Sequence, residues 1–182
     1  MRILGVDPGL ANTGWGVIEN NRLLSCGVIR TLPAEAHSRR IGQIWDGLQA
    51  AVEQWQPQTA CVERIFASVN AKSTLALGEA RGAALAALWH AGVSVVELSA
   101  LQVKKSVTGA GRADKKAVAM MVRKLLSLPE EMKTPPPDAC DALACALSLT
   151  TMMRLGAFDR MPPRRKSGRR GMRQMPKMAA AK

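Results

Sequence analysis

Residues 4–19 read LGVDPGLANTGWGVIE. The run Leu4-Gly5-Val6 has strand character, yet it ends on an acid, Asp7, and turns at once through Pro8-Gly9. Burying a carboxylate is costly unless something pairs with it, so the use made of Asp7 decides how the surrounding chain is read. Past the turn, Asn12-Thr13-Gly14 leads back into GWGVIE (14–19), and RLLSCGVI (22–29) follows a Glu19-Asn20-Asn21 corner suited to a tight hairpin. Three successive strands are therefore expected at 2–7, 14–19 and 22–29.

Working outward, Ile41, Ile44, Trp45, Leu48, Val52 and Trp55 recur at helical spacing and predict a helix over 39–55. QTACVERIF (58–66) reads as a fourth strand, 71–91 as a long Ala- and Leu-rich helix, and GVSVVELS (92–99) as a fifth strand. Helical stretches near 100–107, 114–127 and 138–153 close the domain, the last introduced by Pro135-Pro136-Pro137. The order is that of an α/β domain, a mixed five-stranded sheet flanked by helices.

Length and charge set further bounds. With 182 residues, 47% of them hydrophobic, the chain suits one domain with a real core. No apolar run reaches the roughly 18 residues of a membrane helix, and the N-terminus has no signal-peptide pattern, so a cytoplasmic protein without membrane attachment is expected. Cys26, Cys61, Cys140 and Cys145 form no CxxC pair, and His37 and His90 stand alone. The cysteines are read as small apolar core residues.

The net charge is +12, but nine of the 26 Lys and Arg and none of the 14 acids lie in 160–182, leaving only +3 for 1–159. That segment, RMPPRRKSGRRGMRQMPKMAAAK, has no helical or strand period and is read as a disordered basic tail. Such a tail can lie along a polyanion, or it can act as a solubilising appendage.

Acids recur where apolar residues belong. In DACDALACALSLTTMM (138–153), apolar nearly all round, Asp138 and Asp141 stand at i and i+3 and project from one face. Acids in a first turn complement the helix dipole by roughly 0.3–1 kcal/mol each. This explains Asp138 well and Asp141 less well, and leaves structural and functional readings of the pair open. Asp7 ends strand one with Ile3 and Gly5 on its face, and Glu63 ends strand four after TACV. Ligand sites in open α/β sheets lie beyond the carboxyl ends of strands.

If those strands are parallel neighbours and the Asp138 helix starts across them, four carboxylates share one pocket. Like charges about 4 Å apart repel by about 4 kcal/mol at an effective dielectric of 20, so the cluster calls for cations. Oxygen donors without nearby His or Cys suit Mg²⁺ or Mn²⁺, and paired metals of this kind cut phosphodiesters. Gly9, just past the strand, would let a phosphate or metal approach the backbone.

Together GVDPGLANTGWGVIE (5–19), VERIFASVNAKSTLALGEARG (62–82), VKKSVTGAGRADKKAV (103–118) and PDACDALACAL (137–147) closely resemble the RuvC family of Holliday-junction resolvases, from about residue 2 to 153. The resemblance implies a ribonuclease H-like fold. With the charge distribution it divides the chain into a nuclease domain over 1–157 and the basic tail over 158–182, where the chain departs from the many relatives that end soon after the last helix. The resemblance implies that Asp7, Glu63, Asp138 and Asp141 are catalytic and metal-binding, with two Mg²⁺ per site or Mn²⁺ in their place. Some relatives carry His at the last position, where this chain has Asp141. The implied protein is a homodimer that makes paired symmetric nicks in a four-way DNA junction, leaving 5′-phosphates, in recombination and repair beside the RuvA–RuvB branch-migration complex.

The resemblance also implies that Phe66 stacks on junction bases, worth roughly 1–3 kcal/mol per base, and that Lys104 and Lys115 lie near the scissile phosphate. Arg112, with Lys105 and Lys116, adds general DNA attraction, Asn70 lies on a DNA-facing edge, and helix 71–91 carries a dimer contact. The competing readings are a non-catalytic branched-DNA binding module and an RNA-directed nuclease of the same fold. A third, an actin-like ATPase sharing the strand-turn-strand start, would need a second phosphate loop that this chain lacks.

Overall fold

The computed structural model describes residues 1–64 and 70–156. Strands β1 (Arg2–Asp7), β2 (Asn12–Glu19) and β3 (Arg22–Arg30) are followed by α1 (His37–Trp55), β4 (Thr59–Arg64), α2 (Ala71–His90) and β5 (Ser94–Ser99), then by helices α3 (Ala100–Thr108), α4 (Lys115–Leu125) and α5 (Pro137–Arg154). The strand order is β3-β2-β1-β4-β5. β1 is antiparallel to β2 and parallel to β4, which is parallel to β5. The mixed five-stranded sheet expected from the sequence is therefore present. The last two residues of the expected fourth strand, 65–66, and the basic tail lie outside the described residues.

Local chemistry explains the punctuation. Asn20 and Asn21 both adopt positive φ, 51° and 60°, the conformation a two-residue hairpin requires and Asn tolerates. β2 begins at Asn12 rather than Gly14 because Asn12 and Thr13 pair with Arg30 and Ile29 across the antiparallel ladder, a partner that no local pattern reveals. α4 stops at Leu125, short of the expected 127, where Ser127 turns into the left-handed region (φ 50°).

Each face of the sheet buries its own apolar cluster. Leu4, Val6, Val17, Ala60 and Val62 pack with α1 and α2. Ile3, Ile18 and Cys61 pack on the opposite face with α3, α4 and α5. Cys61, Cys140 and Cys145 are buried, whereas Cys26 is only half-buried at the margin of the second cluster; all four are free thiols. Burial pushes the Cys26 thiol up, and pushes that of Cys140 up to about 11.

α5 is the central helix of the second layer, with Ala139, Cys140 and every residue from Ala142 to Leu149 buried. It lies directly on the β1–β2 backbone. A methyl group on Gly5 would stand 1.8 Å from the Ala142 carbonyl oxygen, and one on Gly14 1.9 Å from that of Asp138. Neither collision can be relieved by rotating a side chain, because the opposing atoms are main chain.

Gly5→Ala and Gly14→Ala should therefore each destabilise the protein by about 1–3 kcal/mol or more, lowering the thermal midpoint by several degrees. Gly42→Ala, where a methyl would meet open space inside α1, should raise it slightly, since Ala is favoured over Gly in a helix interior by about 0.5–1 kcal/mol. Melting curves followed by circular dichroism check both directions.

Candidate active site

β1 and β4 run side by side in parallel, with Val6 paired to Val62. Asp7 and Glu63 are therefore the next residues on adjacent strands, both at carboxyl ends. The period of two puts them on the face of Gly5 and Cys61, towards α5. Asp7 pairs with Gly14 across β1–β2, and the Asp138 carbonyl oxygen rests against Gly14. This contact fixes the first turn of α5 beside Asp7. Asp141, one turn on, accepts a hydrogen bond and ion pair from Lys115 Nζ on α4 at 2.9 Å.

The side chains meet at a cavity of about 220 Å³ lined by Asp7, Glu63, Lys104, Lys115, Asp141 and the apolar Ala100, Val103, Val118 and Ala144. Asp138 is not among its walls, but its charge acts on Asp7. A second cavity, of about 250 Å³, is lined by Gln49, Val52, Glu53, Gln56, Pro57, Ala91 and Val93 near the C-terminal ends of α1 and α2. It offers one carboxylate and no converging cation, so the chemistry belongs to the first.

The charges in the first cavity are strongly coupled. Burial, then the negative charges of Glu63 and Asp141 with a smaller part from Asp138, push the Asp7 carboxyl up to about 7, against the pull of Lys115. Burial and Asp141 also raise Glu63, opposed by Lys115 and Lys104. Lys115 is held above its usual range chiefly by its hydrogen bond to Asp141. A lysine in a first helical turn opposes the helix dipole, and the pairing with Asp141 offsets that disadvantage.

The donor set fits a hard divalent cation. It consists of carboxylate oxygens carrying more negative charge than the two lysines neutralise, and burial together with this excess charge keeps the Asp7 proton bound up to about pH 7. Among the described residues no three His, Cys, Asp or Glu side chains close around one point. Mg²⁺ does not require that they should, because it keeps several waters and commonly takes one or two carboxylates plus substrate phosphate oxygens.

Supporting contacts hold these elements in place. Thr13, fully buried in β2, donates from Oγ1 to the Gly9 carbonyl at 2.8 Å. Thr31 donates to the Leu10 carbonyl at 2.5 Å and accepts from Arg40 Nε at 2.8 Å. The loop after Asp7 is thus pinned from two sides. Gly9 has a steric reason to be glycine there: a methyl on it would meet the Asn12 carbonyl oxygen at 2.4 Å. The approach of a phosphate expected from the sequence is not needed to explain it. Neither threonine carries a motif; only its polar character in an apolar register could have singled out Thr13.

The other predicted residues fall in three positions. Lys104 reaches the cavity from α3, whose start is fixed by the Ser99–Gln102 capping box. Arg112 is exposed in the turn between α3 and α4, and Asp114 caps α4, accepting from Ala117 N at 2.7 Å. Asn70 is the N-cap of α2, its side-chain oxygen accepting from Lys72 N and Ser73 N, a structural duty the sequence reading did not assign. Phe66 lies outside the described residues.

Comparison with known proteins identifies the family and the fold. The family model described as "Crossover junction endodeoxyribonuclease RuvC" matches residues 3–149. The chain is similar to the crossover junction endodeoxyribonuclease RuvC of Bordetella avium, 49% identical over 151 residues covering 81% of this chain and 82% of that protein. It is equally similar to the one from Zymomonas mobilis, 49% identical over 152 residues covering 81% and 89%. Among solved structures, T. thermophilus RuvC in complex with Holliday junction substrate superposes with a TM-score of 0.78 at 35% identity, covering 86% of this chain and 96% of that one. The mixed sheet is thus the ribonuclease H-like fold expected from the sequence. With a family match spanning most of its length and close relatives aligned over four-fifths of it, the chain belongs to the RuvC family of crossover junction endodeoxyribonucleases.

Proposed function

We propose that the protein is a metal-dependent endodeoxyribonuclease that resolves Holliday junctions by paired symmetric nicks in recombination and repair. The observation that carries this reading is the meeting of Asp7 and Glu63, from adjacent parallel strand ends, with Asp141 and two lysines in one cavity, in a chain of this family. Asp7, Glu63, Asp138 and Asp141 are the residues that would hold divalent ions, two Mg²⁺ or Mn²⁺ in their place. Bound there, such ions supply an activated water and stabilise the leaving oxygen of a phosphodiester.

The chain's own residues supply the rest. Lys104 and Lys115 offset the negative charge of an incoming phosphate that the carboxylates would otherwise repel. Lys115 also orients Asp141 through its 2.9 Å hydrogen bond. Ala100, Val103, Val118 and Ala144 form an apolar wall that limits bulk water and so strengthens these interactions. Arg112 and the region of Asn70 lie along the DNA path in this reading, and Phe66 stacks on a junction base. In this reading the protein works on chromosomal DNA in the cytoplasm, beside the RuvA–RuvB complex.

Symmetric nicking needs two sites, and α2 offers a surface for a homodimer. Ala80, Ala83, Ala84 and Ala87 pack inward. Leu75, Gly78, Gly82 and Trp89 follow one another at helical spacing on the outward side, with Leu75 64% and Trp89 72% exposed. Additional methyls at Gly78 and Gly82 would meet open space, room into which a second helix fits closely.

Asp7→Asn should lower the rate of Mg²⁺-dependent nicking of a synthetic four-way junction by more than about 100-fold, since loss of even an outer-shell metal partner costs 10–100-fold. Junction affinity in a gel-shift assay should stay within a few-fold. Undiminished cleavage by the variant would remove Asp7 from the mechanism.

The raised Asp7 carboxyl also has a signed consequence for stability. The folded chain holds this proton more tightly than the unfolded chain, so stability falls as pH climbs from about 4 towards 7. In metal-free protein, Asp7→Asn should therefore gain thermal midpoint over wild type as pH rises through that window. Saturating Mg²⁺ at about pH 8 should narrow the gap by stabilising the wild-type folded state more than that of the variant, which lacks one ligand. Parallel scanning-fluorimetry curves at all pH values would contradict this.

Replacing Gly82 by Glu should shift the protein from dimer to monomer in sedimentation velocity at micromolar concentration while the far-ultraviolet circular dichroism is unchanged. A dimer that persists would move the interface away from α2.

A further inference from the structure

α5 carries two of the four acids in its first turns, yet its N-cap residue has no capping side chain. The N-cap is Pro136, which makes no side-chain cap bond, and Pro137 follows at the first helical position. Proline fixes its own φ but not the direction in which the helix is aimed. Packing on Gly14 places the first turn, and the chain enters it through the segment 127–136, which is exposed for most of its length.

Arg123, in the last turn of α4, holds this segment. Its Nη1 donates to the Met132 carbonyl at 3.0 Å and to Thr134 Oγ1 at 3.2 Å, and its Nη2 to the Pro129 carbonyl at 2.7 Å. One planar fork thus ties three points of the loop to α4, a geometry lysine cannot reproduce. Downstream, the chain passes through the buried Pro135 into α5, where Cys140 N bonds the Pro136 carbonyl at 2.9 Å and Cys140 Sγ the Pro135 carbonyl at 3.4 Å. Cys140 lies between Asp138 and Asp141. The other end of α4 holds Asp141 directly through Lys115, and Val118 and Val122 bury the middle of α4 in the same apolar cluster as α5.

We propose that Arg123 is a positioning residue for the acids of α5: by fastening the loop 129–134 to α4 it holds the entry to a helix start already packed on Gly14, and so steadies Asp138 and Asp141. The proposal rests on the assignment of those acids as metal ligands. Arg123 touches neither acid nor the cavity. The carbonyls it engages are at the surface, where water replaces a lost donor at small cost, so its effect on the site is separable from any effect on folding.

The test is Mn²⁺ binding to the full-length protein without DNA, read from the electron paramagnetic resonance signal of free Mn²⁺, for wild type, Arg123→Ala, Arg123→Lys and Asp138→Asn. Arg123→Ala should raise the half-saturating Mn²⁺ concentration about tenfold, as loss of an outer-shell support does, with Arg123→Lys between it and wild type. Nicking by Arg123→Ala should recover towards the wild-type rate at saturating Mg²⁺, while junction affinity stays within about twofold. Merely lowered stability would not be reversed by metal in this way at temperatures below the melting transition. Equal Mn²⁺ binding by wild type and Arg123→Ala would overturn the role of Arg123. Equal binding by wild type and Asp138→Asn would overturn instead the metal assignment on which it rests.

Discussion

The close approach of α5 to β1 and β2 is the constraint on which the rest of the structure depends. Helix and strand backbones can come this near only where the strand has no side chain on that face, and Gly5 and Gly14 provide the gap. The same contact that builds the core also sets the site. Asp138 lies over the residue paired with Asp7, and Glu63 stands on the neighbouring strand. A change of one residue in any of these registers would turn a carboxylate to the opposite face of the sheet.

Concentrating negative charge in a half-buried cavity works against stability, and the molecule shows how it is tolerated. Lys115 is drawn to Asp141 from a helix start where lysine is electrostatically disfavoured, and Lys104 reaches the cavity from a helix fixed by a capping box. Burial and the incomplete charge balance together leave Asp7 holding its proton to about pH 7. An incompletely neutralised oxygen cluster is suited to admitting cations together with a polyanionic substrate, because each relieves the repulsion created by the other. The rigid strand ends and the pinned loop after Asp7 keep these groups in place without a closed ligand shell.

Much of this was legible along the chain. The five strands and five helices follow from apolar periodicity and turn residues, and the four acids stood out because they interrupt apolar runs at strand ends and at the start of a buried helix. The place of Lys104 and Lys115 in the cavity was not legible from charge alone, since basic runs are usually solvated faces; the family resemblance singled them out. Asn70 is a different case. The sequence placed it on a DNA-facing edge, and the structure adds that its side chain satisfies free backbone N–H groups of α2.

What the sequence by itself determined is the inventory: which segments are strands or helices, which acids are out of place, and which family the motifs resemble. Those are local properties, written in periods of two and 3.6 residues and in short motifs. What only the tertiary structure decided is convergence. That Asp7 and Glu63 are neighbours depends on parallel pairing of strands more than 50 residues apart. The duties of Gly5, Gly14, Thr31 and Arg123 depend on partners whose distance in the chain, or whose main-chain character, leaves no local signature. Hydrogen bonds and steric contacts act over a few ångströms of space whatever the separation in sequence, so the pattern of residues can announce the parts of the site while packing alone assembles them.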